Sequence, residues 1–170
     1  MKMNTELEKK FQDQITLEFA ASMVYRQLAI EADEQDLPGM SEWLRRQADE
    51  EIVHANKFIQ HLSDRDNHSH IGAIPAHNIK PGLSAAEIFK AALEHEQKVS
   101  ASIRELYRSA DAENDYDSRP ILNWFINEQI EEEATVSEIL AQIELVGDDG
   151  SGLLRLDSEM GKRPNEGTEA

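Results

Sequence analysis

Apolar residues recur with helical spacing in four long stretches of this chain, and each stripe is interrupted near its middle by a carboxylate. The first stripe reads Leu7, Phe11, Gln14, Glu18, Ala21, Tyr25, Leu28 and Ala32, and the second Leu44, Ala48, Glu51, Ala55, Phe58 and Leu62. The third is Phe89, Ala92, Glu96, Val99, Ile103 and Leu106; the fourth is Leu122, Phe125, Gln129, Glu132, Val136, Ile139, Ile143 and Val146. Residues three and four apart share one helix face, so each stripe predicts an amphipathic helix with a Glu on its core side. An unpaired buried carboxylate is costly, and four converging on one level repel strongly. Positive charge must stand among them, and a pair of metal ions is the simplest candidate.

Local signals set the element boundaries. A first helix is expected over Thr5–Glu34, with Thr5 as N-cap and Glu8 completing a capping box, until the break DEQDLPG ends it. A second starts near Met40–Ser41 and lasts to Asp64. Residues 66–83, with their Pro, Gly and His, are too long for a hairpin and read as a crossover along the whole bundle. The third helix begins at Ser84, whose capping-box partner is Glu87, and ends near Ala112. The turn ENDYDSRP leads to a fourth over Ser118–Leu145, stopped by Gly147 and Gly150. The segment SGLLRLDSEMG is long enough for a short fifth helix. Residues 1–160 are thus expected as one domain and 161–170 as a flexible tail. Short loop, long crossover, short loop excludes a simple up-and-down bundle.

Composition agrees with this all-α reading. With 39% hydrophobic and 30% charged residues in 170, the chain suits one amphipathic helical domain. No stretch is apolar enough to span a bilayer, the polar start is unlike a signal peptide, and no cysteine offers a disulfide or thiolate ligand. These features fit a cytoplasmic protein. The formal charge of −17 argues against nucleic acid as a partner and is compatible with attracting cations, although acidity for solubility alone gives the same number.

The sharpest local motif is Glu51-x-x-His54, which puts a carboxylate and an imidazole on one helix face. Glu18 and Glu96 sit at matching depth, and the fourth helix supplies Gln129-x-x-Glu132. Alone, E-x-x-H is weak and reads equally as a solvated helix face. Its placement on a core stripe, with the same anomaly on three other helices, favours a metal. Carboxylates with one imidazole suit iron or manganese, with zinc as competitor.

Glu18, Tyr25, the run EEIVH from Glu50 to His54, EHEQ around Glu96 and NEQIEEE from Asn127 to Glu133 resemble bacterial non-haem ferritins over about residues 5 to 160. The resemblance implies a ferritin-like four-helix bundle with one long crossover plus a short fifth C-terminal helix. It implies an iron-storage ferroxidase that oxidises Fe(II) with O2 at a di-iron centre and keeps the Fe(III) mineral in a hollow homo-oligomeric shell of twenty-four subunits. Glu18, Glu51 and His54 would hold one iron, and Glu96 and Glu132 the second, with Glu51 bridging. Gln129 would lie beside the site and help to place O2 or a water. Tyr25 would hydrogen-bond a ligand or donate an electron, or simply pack in the core. Glu50, Glu128 and Glu131, with Glu132, would form a third iron position at the inner surface, the alternative being a charged face toward the cavity. Trp124 also matches the family; electron donation and core packing are both open, with packing favoured.

Several departures narrow the resemblance. Bacterioferritins carry a second E-x-x-H on the fourth helix and a haem-ligating Met where Ile52 stands here, so no haem is expected. Arg119, Leu122 and Asn123 replace the acidic channel residues of animal ferritins. His68, His70 and His77 in the crossover suggest another metal site or, more simply, solvated side chains, and His95 points away from Glu96. The rival activities are a rubrerythrin-like oxidase or peroxidase that does not store iron, and a silent shell subunit; the first usually has two E-x-x-H motifs, the second lacks the central ligands.

Overall fold

The computed structural model describes residues 1–162, which form α1 (Thr5–Glu34), α2 (Pro38–Asp64), α3 (Ala85–Ala112), a 3-10 turn (Tyr116–Ser118), α4 (Arg119–Val146) and α5 (Gly150–Lys162). Helices α1 and α2 pack as one pair and α3 and α4 as another; α1 meets α3, and α5 lies against α2. Every residue of the four stripes is buried except Val146, half-buried at the end of α4. The apolar core is divided in two. One part gathers Leu28, Met40, Leu44, Phe89, Val136 and Ile139; the other gathers Leu7, Phe11, Phe58, Leu62, Ile103 and Phe125. The stripe carboxylates fall between them.

The crossover spans the bundle's length and is bonded to Met3 and to α1 near its two ends. Met3 N–H donates to Asn67 Oδ1 at 2.9 Å, Gln12 Nε2 to the His68 carbonyl at 2.6 Å, Gly72 N–H to Thr16 Oγ1 at 2.8 Å and Gly82 N–H to Glu31 Oε2 at 2.9 Å. These bonds satisfy backbone groups that an irregular segment would otherwise leave unpaired. Its length therefore returns the chain to the end of the bundle from which α3 can run back against α1.

Boundaries differ from expectation at four points. The N-cap of α1 is Asn4, whose Oδ1 accepts from Leu7 N–H at 2.8 Å. Thr5 is the first helical residue, since Asn caps better than Thr, and Glu8 instead accepts from His68 N–H at 2.7 Å. Helix α2 starts at Pro38 rather than Met40–Ser41, because Pro fits the first turn, where its missing N–H costs nothing. The stop after α4 belongs to Gly147 at φ 56°, whereas Gly150 opens α5. Helix α5 continues to Lys162, two residues into the expected tail; the remaining tail, residues 163–170, lies outside the described residues. The Ser84–Glu87 capping box forms as expected.

Candidate metal centre

Glu18 from α1, Glu51 and His54 from α2, Glu96 from α3, and Gln129 and Glu132 from α4 meet between the two apolar clusters, none more than 7% exposed. Single ligand atoms of Glu18, Glu51 and His54 lie within 4.8 Å of one another. So do those of Glu51, Glu96 and Glu132, and a third group joins Glu50, His54, Glu128 and Glu132. Glu51 is common to the first two groups; His54 and Glu132 link them to the third.

The protein does not satisfy these carboxylates by itself. Glu18 Oε2, Glu51 Oε1 and both oxygens of Glu132 are buried and accept from no N–H or hydroxyl donor among the described residues. Burial pushes Glu18 up from 4.5 to about 7, against the opposing influence of the adjacent Glu51 and of the Gln14 amide bond. Burial also raises Glu51 and Glu132 well above the carboxylate range; repulsion from Glu132 and Glu96 adds to it at Glu51, and repulsion from Glu96 and Glu50 at Glu132. Glu96 is raised by burial too, although bonds from Tyr25 and Gln129 oppose the shift. Burial lowers His54 from 6.5 to about 4, so its ring is neutral at pH 7, and its Nδ1 stands 3.3 Å from Glu51 Oε2. Protons hold the cluster together in the ion-free protein, and cations can take their place. A neutral imidazole and hard oxygens without thiolate fit ions such as Fe(II) or Mn(II).

The other expected residues divide. The Tyr25 hydroxyl, fully buried, donates to Glu96 Oε1, so this side chain does more than fill the core. Gln129 Nε2 donates to Glu96 Oε2 at 3.0 Å and to Ser100 Oγ at 3.2 Å. Glu50 and Glu128 join the third group, but Glu131 is exposed and in none of the groups. Trp124 is not packed in the core: it is 37% exposed, its edge against His54 with ring centroids 5.6 Å apart, and Lys57 Nζ lies 4.5 Å over its face. It precedes the stripe residue Phe125 by one position and is turned about 100° from it. His68, His70 and His77 are exposed and enter no ligand group. His95 is half-buried, and it too enters none.

Sequence reasoning gave no role to Gln14, Ser100 or Ser102. Gln14 Nε2 donates to Glu18 Oε1 at 2.7 Å and its Oε1 accepts from Ser102 Oγ at 2.6 Å. The spacing of Gln14 and Glu18, four apart on one stripe, was the available signal; the serines on α3 offered none.

A family model described as a ferritin-like domain matches residues 8–146. A probable bacterial non-heme ferritin-like protein of Haemophilus influenzae is 34% identical over 161 residues, covering 94% of this chain and 96% of that protein. A bacterial non-heme ferritin of Staphylococcus aureus is 31% identical over 161 residues, 95% of this chain and 96% of its own. Among solved structures, an open pore ferritin from the hyperthermophilic archaeon Archaeoglobus fulgidus superposes with a TM-score of 0.89 at 30% identity, covering 96% of this chain and all (100%) of that one.

Proposed function

Because the chain belongs to the ferritin-like family, we propose that it stores iron and oxidises it on entry, with Fe(II) and O2 as substrates. The observation that carries this reading is the pair of buried ligand groups hinged on Glu51. Glu18, Glu51 and His54 take one Fe(II); Glu96, Glu132 and the shared Glu51 take the second. Each ion gives up one electron to O2. Oxygen ligands stabilise Fe(III) more than Fe(II), which favours that transfer. Gln129 borders the second position, where its amide is available to orient O2 or a water. Tyr25 acts through its bond to Glu96. Glu50, Glu128 and Glu132, with His54, form a third position through which product leaves for the interior of a shell. The shell is a homo-oligomer of twenty-four chains in the cytoplasm.

Aerobic Fe(II) loading followed by sizing with iron detection tests the reading. Storage predicts far more than three irons per chain, eluting with a large particle. Iron that stops at two or three per chain overturns storage and leaves a di-iron oxidase or peroxidase. Glu51→Ala removes a ligand from both positions and is expected to reduce initial oxidation to the uncatalysed rate; a near-wild-type rate contradicts the bridging role.

A further inference from the structure

The carboxylates of the centre are held to different degrees. Glu96 is engaged at both oxygens, by Tyr25 at Oε1 and by Gln129 at Oε2. Glu132 receives a donor at neither. Glu18 is the intermediate case: Gln14 occupies Oε1, while Oε2 is buried without a donor. The Gln14 amide is fixed in turn, because Ser102 donates to its carbonyl oxygen. That bond decides which end of the amide faces Glu18: the carbonyl is taken, so the NH2 is presented to the carboxylate. Gln14 itself is only 2% exposed, which removes water as a competing partner.

We propose that Gln14 is a positioning residue for the first ion position. By occupying Oε1 it leaves Glu18 a single oxygen, Oε2, for an ion shared with Glu51 and His54, and Ser102 keeps the amide in that sense. A carboxylate held this way does not swing to clasp an ion with both oxygens, so Gln14 sets the affinity and geometry of that position without touching the ion. Glu132, which accepts from no donor among the described residues, is free to serve either of the two groups it belongs to. The inference rests on the ion-binding reading above.

The test is anaerobic calorimetric titration of the full chain with Zn(II), which cannot be oxidised, alongside the visible absorption of the Co(II)-loaded protein. Glu18→Ala identifies which class of sites is the first position. In Gln14→Leu, which keeps the bulk and loses the donor, that class is expected to weaken about 10–100-fold, with an altered Co(II) spectrum and the other class unchanged. Ser102→Ala should move both readouts the same way by less, and Ser102→Thr, which retains the hydroxyl, should restore them. Wild-type affinities and spectra in Gln14→Leu overturn the proposal, as does equal weakening of both classes. Wild-type protein that takes up no Zn(II) would instead remove the underlying ion-binding reading, so the two failures are separable.

Discussion

Glu18 keeps its proton until about pH 7, where a carboxyl in the unfolded chain has lost it near 4.5. Between those values the folded state binds more protons than the unfolded one, so this group contributes stability that is lost as pH rises through the window. Glu51 and Glu132, also raised by burial, act in the same sense. His54 and His95 act oppositely: burial lowers both from 6.5 to about 4, so the unfolded chain is the better proton binder and stability rises with pH up to 6.5. Above 6.5 the imidazole contribution is complete and only the carboxylates still change. Ion-free protein in chelator is therefore expected to melt at progressively lower temperature from pH 6.5 to 8, and Zn(II) should remove the decline. A flat or rising melting temperature in chelator would mean that the carboxylates are not protonated together. The four glutamates were legible in the sequence because Glu on an apolar stripe is anomalous. Gln14 stood on the same stripe, yet an uncharged amide there raises no conflict, and its partner Ser102 lies 88 positions away. The third group was half legible: the core stripe already turned Glu132 inward, but i, i+3 and i, i+4 spacing offered Glu131 to Glu128 as well, and the structure leaves Glu131 exposed and outside the group.

The helices end by a device that glycine-based reading does not detect. Asp36, Asp66 and Asn114 adopt positive φ just past α1, α2 and α3. In each case the following N–H reaches back to close the last turn: Leu37 to Ala32 at 3.0 Å, Asn67 to Leu62 at 2.9 Å and Asp115 to Ala110 at 2.8 Å. These are Schellman closures with Asp or Asn in the place usually taken by Gly. Helix ends α1 and α2 were still placed correctly, because polarity changed there. The start of α2 was not, since its cap comes from elsewhere in the chain. Leu37 has no capping side chain, and Met40 N–H donates instead to Asp157 Oδ1 of α5 at 2.7 Å. Gly39 makes that approach possible: a Cβ there would sit 1.9 Å from the Asp157 carbonyl oxygen. In an ordinary helix Gly→Ala gains about 1 kcal/mol. Here Gly39→Ala is expected to reverse the sign and cost about 1–3 kcal/mol by forcing α5 away from α2, read from denaturant unfolding of the ion-loaded protein. A gain in stability would show that α5 yields freely and does not fix the start of α2.

Assembly is a property of the whole molecule, and its surface sets two forces against each other. Met23 and Ile30 on α1 and Ile71 and Ile74 on the crossover that α1 carries are each at least 42% exposed. Isolated apolar side chains on a surface need no explanation, but these four lie on two segments bonded to each other at Gly72 and Gly82, and a face between copies would bury them. Against association stands the formal charge of −17 on each chain, which repels its copies until salt screens it. Wild-type protein is accordingly expected to elute as a large particle, with more of it assembled as salt is raised from low to physiological strength. The double variant Ile30→Glu, Ile74→Glu adds charge where contact would bury it, while all four stripes and the centre between them are left intact. It should elute as small species, bind Zn(II) with wild-type affinity, and take up iron only to two or three ions per chain. That combination would separate ion binding, which the bundle accomplishes alone, from storage, which needs an enclosed volume. A double variant that still forms the large particle would place the contacts between copies on another face, and undiminished iron content in the small species would sever storage from the shell.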